Sequence, residues 1–303
     1  MGKEYFFRTV LFAPGHNDKI ITSAAKSAAD AVVLDIEDSV MPFSVKETAR
    51  ANIVKHIQAG TIKNKIVFVR VNDATSGLLL TDLQAVTLEG VDGFYYPKIK
   101  TGKDIVFIDK LLEAIEYQKG FEIGKFKIVA IIEEAAAVLN AQEICQASKR
   151  VICLAFGSGD YMTSLKGVLD EERFSLHTPR ALIAMAARAN NVIPLDTPFY
   201  NVKDENGLEY NLEIAKKLGF DGLTILHPLQ IEPVHRYFTP SEKEIADAKE
   251  ILRLNEEAHK NHQGVAIING VFIGPPMIAE AKNLLKKWEL IQEIESKKQN
   301  NIM

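Results

Sequence analysis

Cysteine is scarce in this chain, with 2 residues in 303, Cys145 and Cys153. They are too few for a disulfide framework and lack a CxxC spacing, so both read as small buried apolar groups. No run approaches the roughly 18 apolar residues that a membrane span needs. The opening stretch MGKEYFFRTVLFAPG is interrupted by Arg8 and Pro14 too early for a signal peptide. A cytoplasmic location without a membrane partner is therefore expected. Charge of one sign is missing as well, because 36 Lys plus Arg stand against 40 Asp plus Glu, a net charge of −4. The cations are dispersed, and the KK tail at Lys297 and Lys298 reads as a solvated helix end, so no nucleic-acid partner is expected. A glycine-rich dinucleotide loop is absent too: the first apolar run leads into FAPGHND, where the single Gly15 makes a turn and not a phosphate cradle.

What is present is a globular composition, 47% hydrophobic and 25% charged, with a repeating rhythm. Short β-branched runs occur at Thr9 to Ala13, Ala31 to Asp35, Ile66 to Val71, Gly93 to Pro97, Lys127 to Ile132, Val151 to Phe156, Asn191 to Asp196 and Gly222 to Leu226. Each is nearly continuously apolar, as strands of a parallel sheet covered on both faces must be. Most are separated by segments of helical periodicity, such as Ser44 to Gln58 and Ala135 to Ser148. Eight βα units in this length are the spacing of a TIM (β/α)8 barrel. The expected organisation is an α/β barrel over residues 1–238, followed by a C-terminal helix-hairpin-helix extension over 239–303, with Gly264 to Phe272 as the hairpin.

In such a barrel the chemistry sits at the C-terminal ends of the strands, and polar residues collect there. Strand 2 ends in Asp35, Glu37 and Asp38, strand 3 in Arg70 and Asn72, strand 4 in Lys98, strand 5 in Glu133 and Glu134, strand 6 in Asp160 and strand 8 in His227. Acids converging on one mouth repel one another unless cations neutralise them. Glu133 and Asp160, each following a buried strand and on adjacent strands, are the expected ligands of Mg²⁺, which takes hard oxygen ligands and keeps several waters. The competing reading is that each acid caps the helix after it. Arg70 is costly to bury without an anion, which a substrate or an ion pair with Glu37 or Asp38 supplies.

The succession RTVLFAPG, VVLDIEDSV, KETAR, VRVN, YPK, AIIE, AFGSGDY and GFDGLTILHPLQI resembles the HpcH/HpaI aldolase and citrate lyase β-subunit family, which includes malyl-CoA and citramalyl-CoA lyases. The resemblance runs from about Arg8 to about Trp288. It implies a barrel with a C-terminal extension, a homotrimer or hexamer, possible lyase-complex subunits, and Mg²⁺-dependent cleavage of a carbon–carbon bond next to a carbonyl. It places the metal on Glu133 and Asp160, and sets Arg70 on the keto acid with Glu37 and Asp38 orienting it. It puts Arg8, Lys46 and Arg50 near the CoA phosphates and matches Pro97 and Lys98 to the family's PK, with Lys98 expected to bind substrate or CoA and to pair with phosphate rather than to form a Schiff base.

Two departures stand out. Glu134 and Ala135 follow Glu133 where the family usually has Ser or Thr and then Pro, adding a carboxylate beside the metal ligand. In the tail, Asn269 to Met277 reads NGVFIGPPM, so Gly274 stands where many CoA lyases carry an Asp and Val271 replaces a Lys. A missing general acid/base costs about 10²- to 10⁴-fold, which leaves Glu134 and His227 as candidates for the proton relay. Three functions remain open at this stage. They are a lyase for a 3-hydroxyacyl-CoA of the citryl, malyl or citramalyl type, a CoA-independent aldolase for a 4-hydroxy-2-keto acid, and a catalytically silent binding paralogue.

Overall fold

The computed structural model describes residues 5–170, 172–260, 266–268 and 271–300. It shows eight parallel strands, β1 (Thr9–Pro14), β2 (Ala31–Asp35), β3 (Ile66–Arg70), β4 (Gly93–Tyr96), β5 (Lys127–Ile132), β6 (Val151–Phe156), β7 (Ile193–Asp196) and β8 (Gly222–Ile225). They pair in sequence order, and β8 returns to β1 to close a barrel. The helices of this part are α1 (Asp18–Lys26), α2 (Lys46–Gln58), α3 (Leu79–Val86), α4 (Gly102–Lys119), α5 (Ala135–Leu139), α6 (Ala141–Gln146), α7 (Ser158–Leu165), α8 (Phe174–Ala189), α9 (Glu205–Lys217) and α10 (Ile231–Phe238). The expected TIM barrel is thus observed.

The chain divides into two compact units, Met1–His235 and Arg236–Met303. In the second, α11 (Glu242–Lys260) packs on α12 (Pro275–Asn300), and β9 (Ala266–Ile268) pairs antiparallel with β10 (Val271–Ile273). Its apolar contact joins Ala258 and Ile273 with Leu254 and Ile278. Gly264, Asn269 and Gly270 of the expected hairpin, and the side chains of Lys297 and Lys298, lie outside the described residues.

Alternation along each strand decides what fills the barrel. Val10, Val33, Phe68, Tyr95, Val129, Cys153 and Leu195 point inward and form one buried cluster. The aromatic members interlock edge to face: Phe7 on Phe68 at 5.7 Å between ring centroids, Phe68 on Tyr95 at 5.7 Å, and Phe12 on Tyr95 at 5.6 Å. Small residues on neighbouring strands, Ala31, Cys153 and Ala155, leave the volume those rings occupy. Both cysteines are buried free thiols.

Strand crowding at the N-terminal end of the barrel leaves room for glycine alone. A Cβ on Gly93 would lie 2.1 Å from the Lys127 carbonyl oxygen, and one on Gly222 2.2 Å from that of Arg8. Both obstacles are sheet backbone, so Gly93→Ala is expected to lower unfolding stability by about 3 kcal/mol, read as a lower urea midpoint at unchanged m-value.

Local chemistry explains where observed helices differ from the periodic segments. Asn17 accepts from the backbone N–H groups of Lys19 and Ile20 and so starts α1. The Asp104 carboxylate accepts from the Thr101 N–H and fixes the start of α4. The single helix expected over Ala135 to Ser148 divides at Asn140, whose side chain donates to the Lys100 carbonyl at 2.9 Å. Short helices α3 and α7 were not separated from their loops by periodicity, because each carries barely two turns of pattern.

Candidate active site

A cavity of about 470 Å³ opens at the C-terminal ends of the strands, within the usual range for small-molecule sites. Its charged wall is Asp38, Arg70, Glu133 and Asp160, and its deeper wall carries Phe12, Tyr95, Ile131, Ala155 and Thr224.

Arg70 leaves the end of β3 beside Asp35, its register partner on β2. The guanidinium donates to both Asp35 oxygens at 2.7 Å, from Nε and Nη2, and lies over the Phe12 ring at 4.9 Å. Nη1 is 3.0 Å from Glu37 and 3.6 Å from Asp38. Asp35 is therefore the chief residue orienting Arg70, with Glu37 second, whereas Glu37 and Asp38 were expected in that role. Sequence reasoning placed Asp35 at the strand end but gave it no task; its position as the last residue of β2, opposite Arg70, was the available signal. Burial alone would raise the Asp35 carboxyl, but Arg70 and the Ser39 hydroxyl outweigh it and hold it below the ordinary carboxylate range. The Arg70 guanidinium is raised further above its ordinary value by the same acids, against the effect of burial.

Glu133 is buried immediately beyond β5, and its Oε1 accepts the Lys98 backbone N–H at 2.6 Å. Lys98 takes a left-handed backbone conformation, φ 54°, uncommon for a residue with a side chain. Its ammonium stands 3.1 Å from Glu37 and 3.5 Å from Asp73. One residue thus ties Glu133 through its backbone to Glu37 through its side chain. Burial works against the Lys98 charge, but Glu37 and Asp73 outweigh it and raise the ammonium above its usual value, which favours the charged form.

Burial pushes the Glu133 carboxyl up to about 8, with Glu37 and Asp160 adding to it. It likewise pushes Glu37 up to about 7, beyond what Arg70 and Lys98 recover. Neither buried oxygen of Glu37 makes a hydrogen bond of good geometry, although both lie at ion-pair distance from those cations. Among the described residues, no third His, Cys or carboxylate closes a ligand cluster around Glu133 and Asp160. The donor set is two hard carboxylate donors, a buried Glu133 and an exposed Asp160, on one cavity wall. It fits a divalent cation that takes its other ligands from water or substrate.

The remaining expected site residues are engaged elsewhere. Arg8 precedes β1 at the opposite end of the barrel, buried, donating to Asp30 from Nε at 3.0 Å and Nη2 at 2.8 Å. Lys46 is buried and donates to the Ile36 and Glu37 carbonyls and to Asn72 Oδ1 at 2.7–2.9 Å. Arg50 donates to Asp82 at 2.7 Å. All three cations expected at the CoA phosphates are paired within the protein: Lys46 and Arg50 hold loops of the mouth together, and Arg8 ties the start of β1 to Asp30 at the other end. Glu134 stands at the start of α5, 3.4 Å from the Lys100 ammonium, and is not part of the cavity wall. His227 is exposed, and its Nδ1 accepts the Leu229 N–H at 3.2 Å, ending β8 and starting a short 3₁₀ turn. Neither takes the relay position proposed for it. Tyr200, which the sequence did not single out, lines the cavity instead; burial and the Asp160 charge raise its phenol.

The fold and this mouth define a barrel enzyme whose cavity is walled by carboxylates and one clamped guanidinium. The HpcH/HpaI aldolase/citrate lyase family model matches residues 8–228. The citrate lyase subunit beta of Haemophilus influenzae is 34% identical over 280 residues, covering 92% of this chain and 96% of that protein. The L-malyl-CoA/beta-methylmalyl-CoA lyase of Cereibacter sphaeroides is 30% identical over 304 residues, covering 94% and 95%. In fold, the chain resembles CitE from Mycobacterium tuberculosis, solved with magnesium, acetoacetate and coenzyme A, with TM-score 0.74, 23% identity and coverage of 94% and 98%. It also resembles a citrate lyase from Burkholderia xenovorans, with TM-score 0.83, 17% identity and coverage of 96% and 93%. The chain belongs to the HpcH/HpaI aldolase/citrate lyase family and is a carbon–carbon lyase.

Proposed function

We propose that the protein cleaves a 3-hydroxyacyl-CoA of the citryl, malyl or citramalyl type into a short acyl-CoA and a 2-keto acid, with Mg²⁺ on Glu133 and Asp160. The observation that carries this is the convergence of Glu133, Asp160 and Arg70 on one cavity, with the Glu133 carboxyl raised by burial and by the neighbouring acids. The kinship to citrate lyase β subunits and a malyl-CoA lyase supports the thioester class. Kinship to a protein named as a lyase subunit supports operation within a lyase complex. Among the described residues no helix is long and apolar enough to cross a membrane.

In the cleavage direction a base removes the proton of the 3-hydroxyl, and that oxygen becomes the keto oxygen. The bond between C2 and C3 breaks, its electron pair passes to the thioester enolate, and a proton returned to C2 completes the acyl-CoA. A bound Mg²⁺ supplies Lewis-acid stabilisation of the developing negative charge. Arg70, locked by Asp35, directs fixed positive charge at the keto-acid oxygens without reorganising during the step. Glu37, buried at ion-pair distance from both Arg70 and Lys98, holds those two cations beside the site. Phe12, Ile131 and Phe156 exclude water from the cavity walls.

A second reading, a CoA-independent aldolase for a 4-hydroxy-2-keto acid, is favoured by one observation: Arg8, Lys46 and Arg50 are all committed within the protein. The silent-paralogue reading draws no support from a mouth that keeps these acids and Arg70 together. The deciding experiment offers malyl-CoA, citramalyl-CoA, citryl-CoA and free 4-hydroxy-2-keto acids, each with Mg²⁺ and with EDTA. Acyl-CoA released only with Mg²⁺ is the expected result; turnover confined to the free acids replaces the lyase reading with the aldolase one.

A further inference from the structure

Lys98 holds a backbone conformation that its own side chain disfavours. Its φ of 54° lies in the left-handed region, where a Cβ crowds the following carbonyl oxygen and glycine is at ease. Left-handed residues with side chains gather at functional sites, where surrounding contacts hold them against their preference. The hold here comes from the far end of the side chain. The Lys98 ammonium stands 3.1 Å from Glu37 and 3.5 Å from Asp73. Both acids are anchored in turn, Glu37 by Arg70 at 3.0 Å and Asp73 by the Thr75 N–H at 2.8 Å.

What the hold delivers is the direction of one N–H. The Lys98 main chain donates to Glu133 Oε1 at 2.6 Å, and among the described residues no other hydrogen bond reaches that carboxylate. From the other side Gly157 closes in: a Cβ there would lie 2.7 Å from Glu133 Cβ and 3.0 Å from Oε2. Tied at one oxygen and confined at the other, the carboxylate has little freedom to turn. Relaxing position 98 into the right-handed region would re-orient the planar peptide units on either side of it, and the N–H with them. A ligand group must be held to within about 0.5 Å of its productive geometry to be effective.

Resting on the reading of Glu133 and Asp160 as a metal site, we propose that Lys98 is a positioning residue for the cation: its left-handed backbone, anchored by Glu37 and Asp73, aims the Glu133 carboxylate. The backbone performs the task and the ammonium secures it, so a glycine at position 98 keeps the conformation without an anchor. The test is calorimetric titration of Mn²⁺ alone, an ion of similar ligand preference, into the full chain and into Lys98→Gly, Lys98→Ala and Glu133→Ala. The two Lys98 variants lose the same charge, so its direct effect on cation affinity is common to both, and they differ only in the Cβ. Lys98→Ala is expected to bind Mn²⁺ about tenfold more weakly than Lys98→Gly. Lys98→Gly should bind no more than about threefold more weakly than the natural protein. Lys98→Met, which keeps the length of the lysine stem, should show the same deficit against Lys98→Gly and serves in place of an alanine variant that fails to fold. A gap below about threefold between the glycine variant and its folded counterpart overturns the inference, as does a larger loss in Lys98→Gly itself. In either case, Mn²⁺ binding that is lost in Glu133→Ala leaves the metal reading standing. A natural protein that binds no Mn²⁺, or binding that survives Glu133→Ala undiminished, overturns the metal reading and the inference together.

Discussion

Glu133→Ala is expected to lower Mg²⁺-dependent cleavage by at least about 10³-fold while leaving the barrel folded. The carboxylate sits just past β5, buried, with one oxygen held by the Lys98 N–H at 2.6 Å. In the proposed metal site its other oxygen would join Asp160 on the cation. Removing it takes away half of the protein's contribution to the donor set. The cost to the fold is small by comparison. Lys98 loses one acceptor, about 1–3 kcal/mol, but the protein is also relieved of a carboxyl pushed up to about 8 by burial. Steady-state kinetics, Mg²⁺ titration and circular dichroism separate the two effects. Activity that survives, or loss of the barrel's dichroism, removes Glu133 from the metal site.

The second large effect is expected from Arg70→Lys, a fall of about 10²- to 10³-fold in kcat/KM. A lysine cannot reproduce the two-point contact with Asp35, the stacking on Phe12 and the pairing with Glu37 at once. It carries the same charge, so a loss of this size would show that planar, clamped geometry matters beyond net charge. Arg70→Met should in addition move acid unfolding to higher pH. The Asp35 carboxyl is depressed in the folded state, to which Arg70 contributes after the opposing effect of burial. Its stabilising contribution is therefore present above the unfolded carboxylate value, near 3.9, and is lost only as pH falls through the lower folded value. Without Arg70 the folded value rises, and the contribution disappears at a higher pH. Acid titration followed by dichroism reads this directly; coincident midpoints for the two proteins would contradict it.

The barrel was legible because buried parallel strands spell themselves as runs such as KIVAII and VICLAF, whose bounds agree with β5 and β6. The gathering of Arg70, Glu133 and Asp160 was legible for the same reason, since a strand end fixes which end of a barrel a residue occupies. What a cation is paired with could not be read that way. Lys46 and Arg50 look like free basic residues on a helix, yet they reach back to Asn72 and Asp82, partners 26 and 32 positions away. Arg8 illustrates the same limit from the other direction: it precedes its strand, so its strand position already set it opposite the mouth, and only the resemblance placed it at CoA.

The closing seam of the barrel has a consequence for the order of events in biosynthesis. Positions 10 and 224 are neighbours in the sheet, so the first strand to leave the ribosome must wait for nearly the last of the barrel before its free edge is covered. Contacts between such distant positions form late because their loop-closure entropy is met before any pairing offsets it. Thr224 arrives with that final strand, so the deep wall of the cavity is finished in the same act that closes the barrel. A nascent chain lacking β8 would carry an exposed strand edge and an incomplete binding wall at once, which makes ligand recognition a report on completed folding.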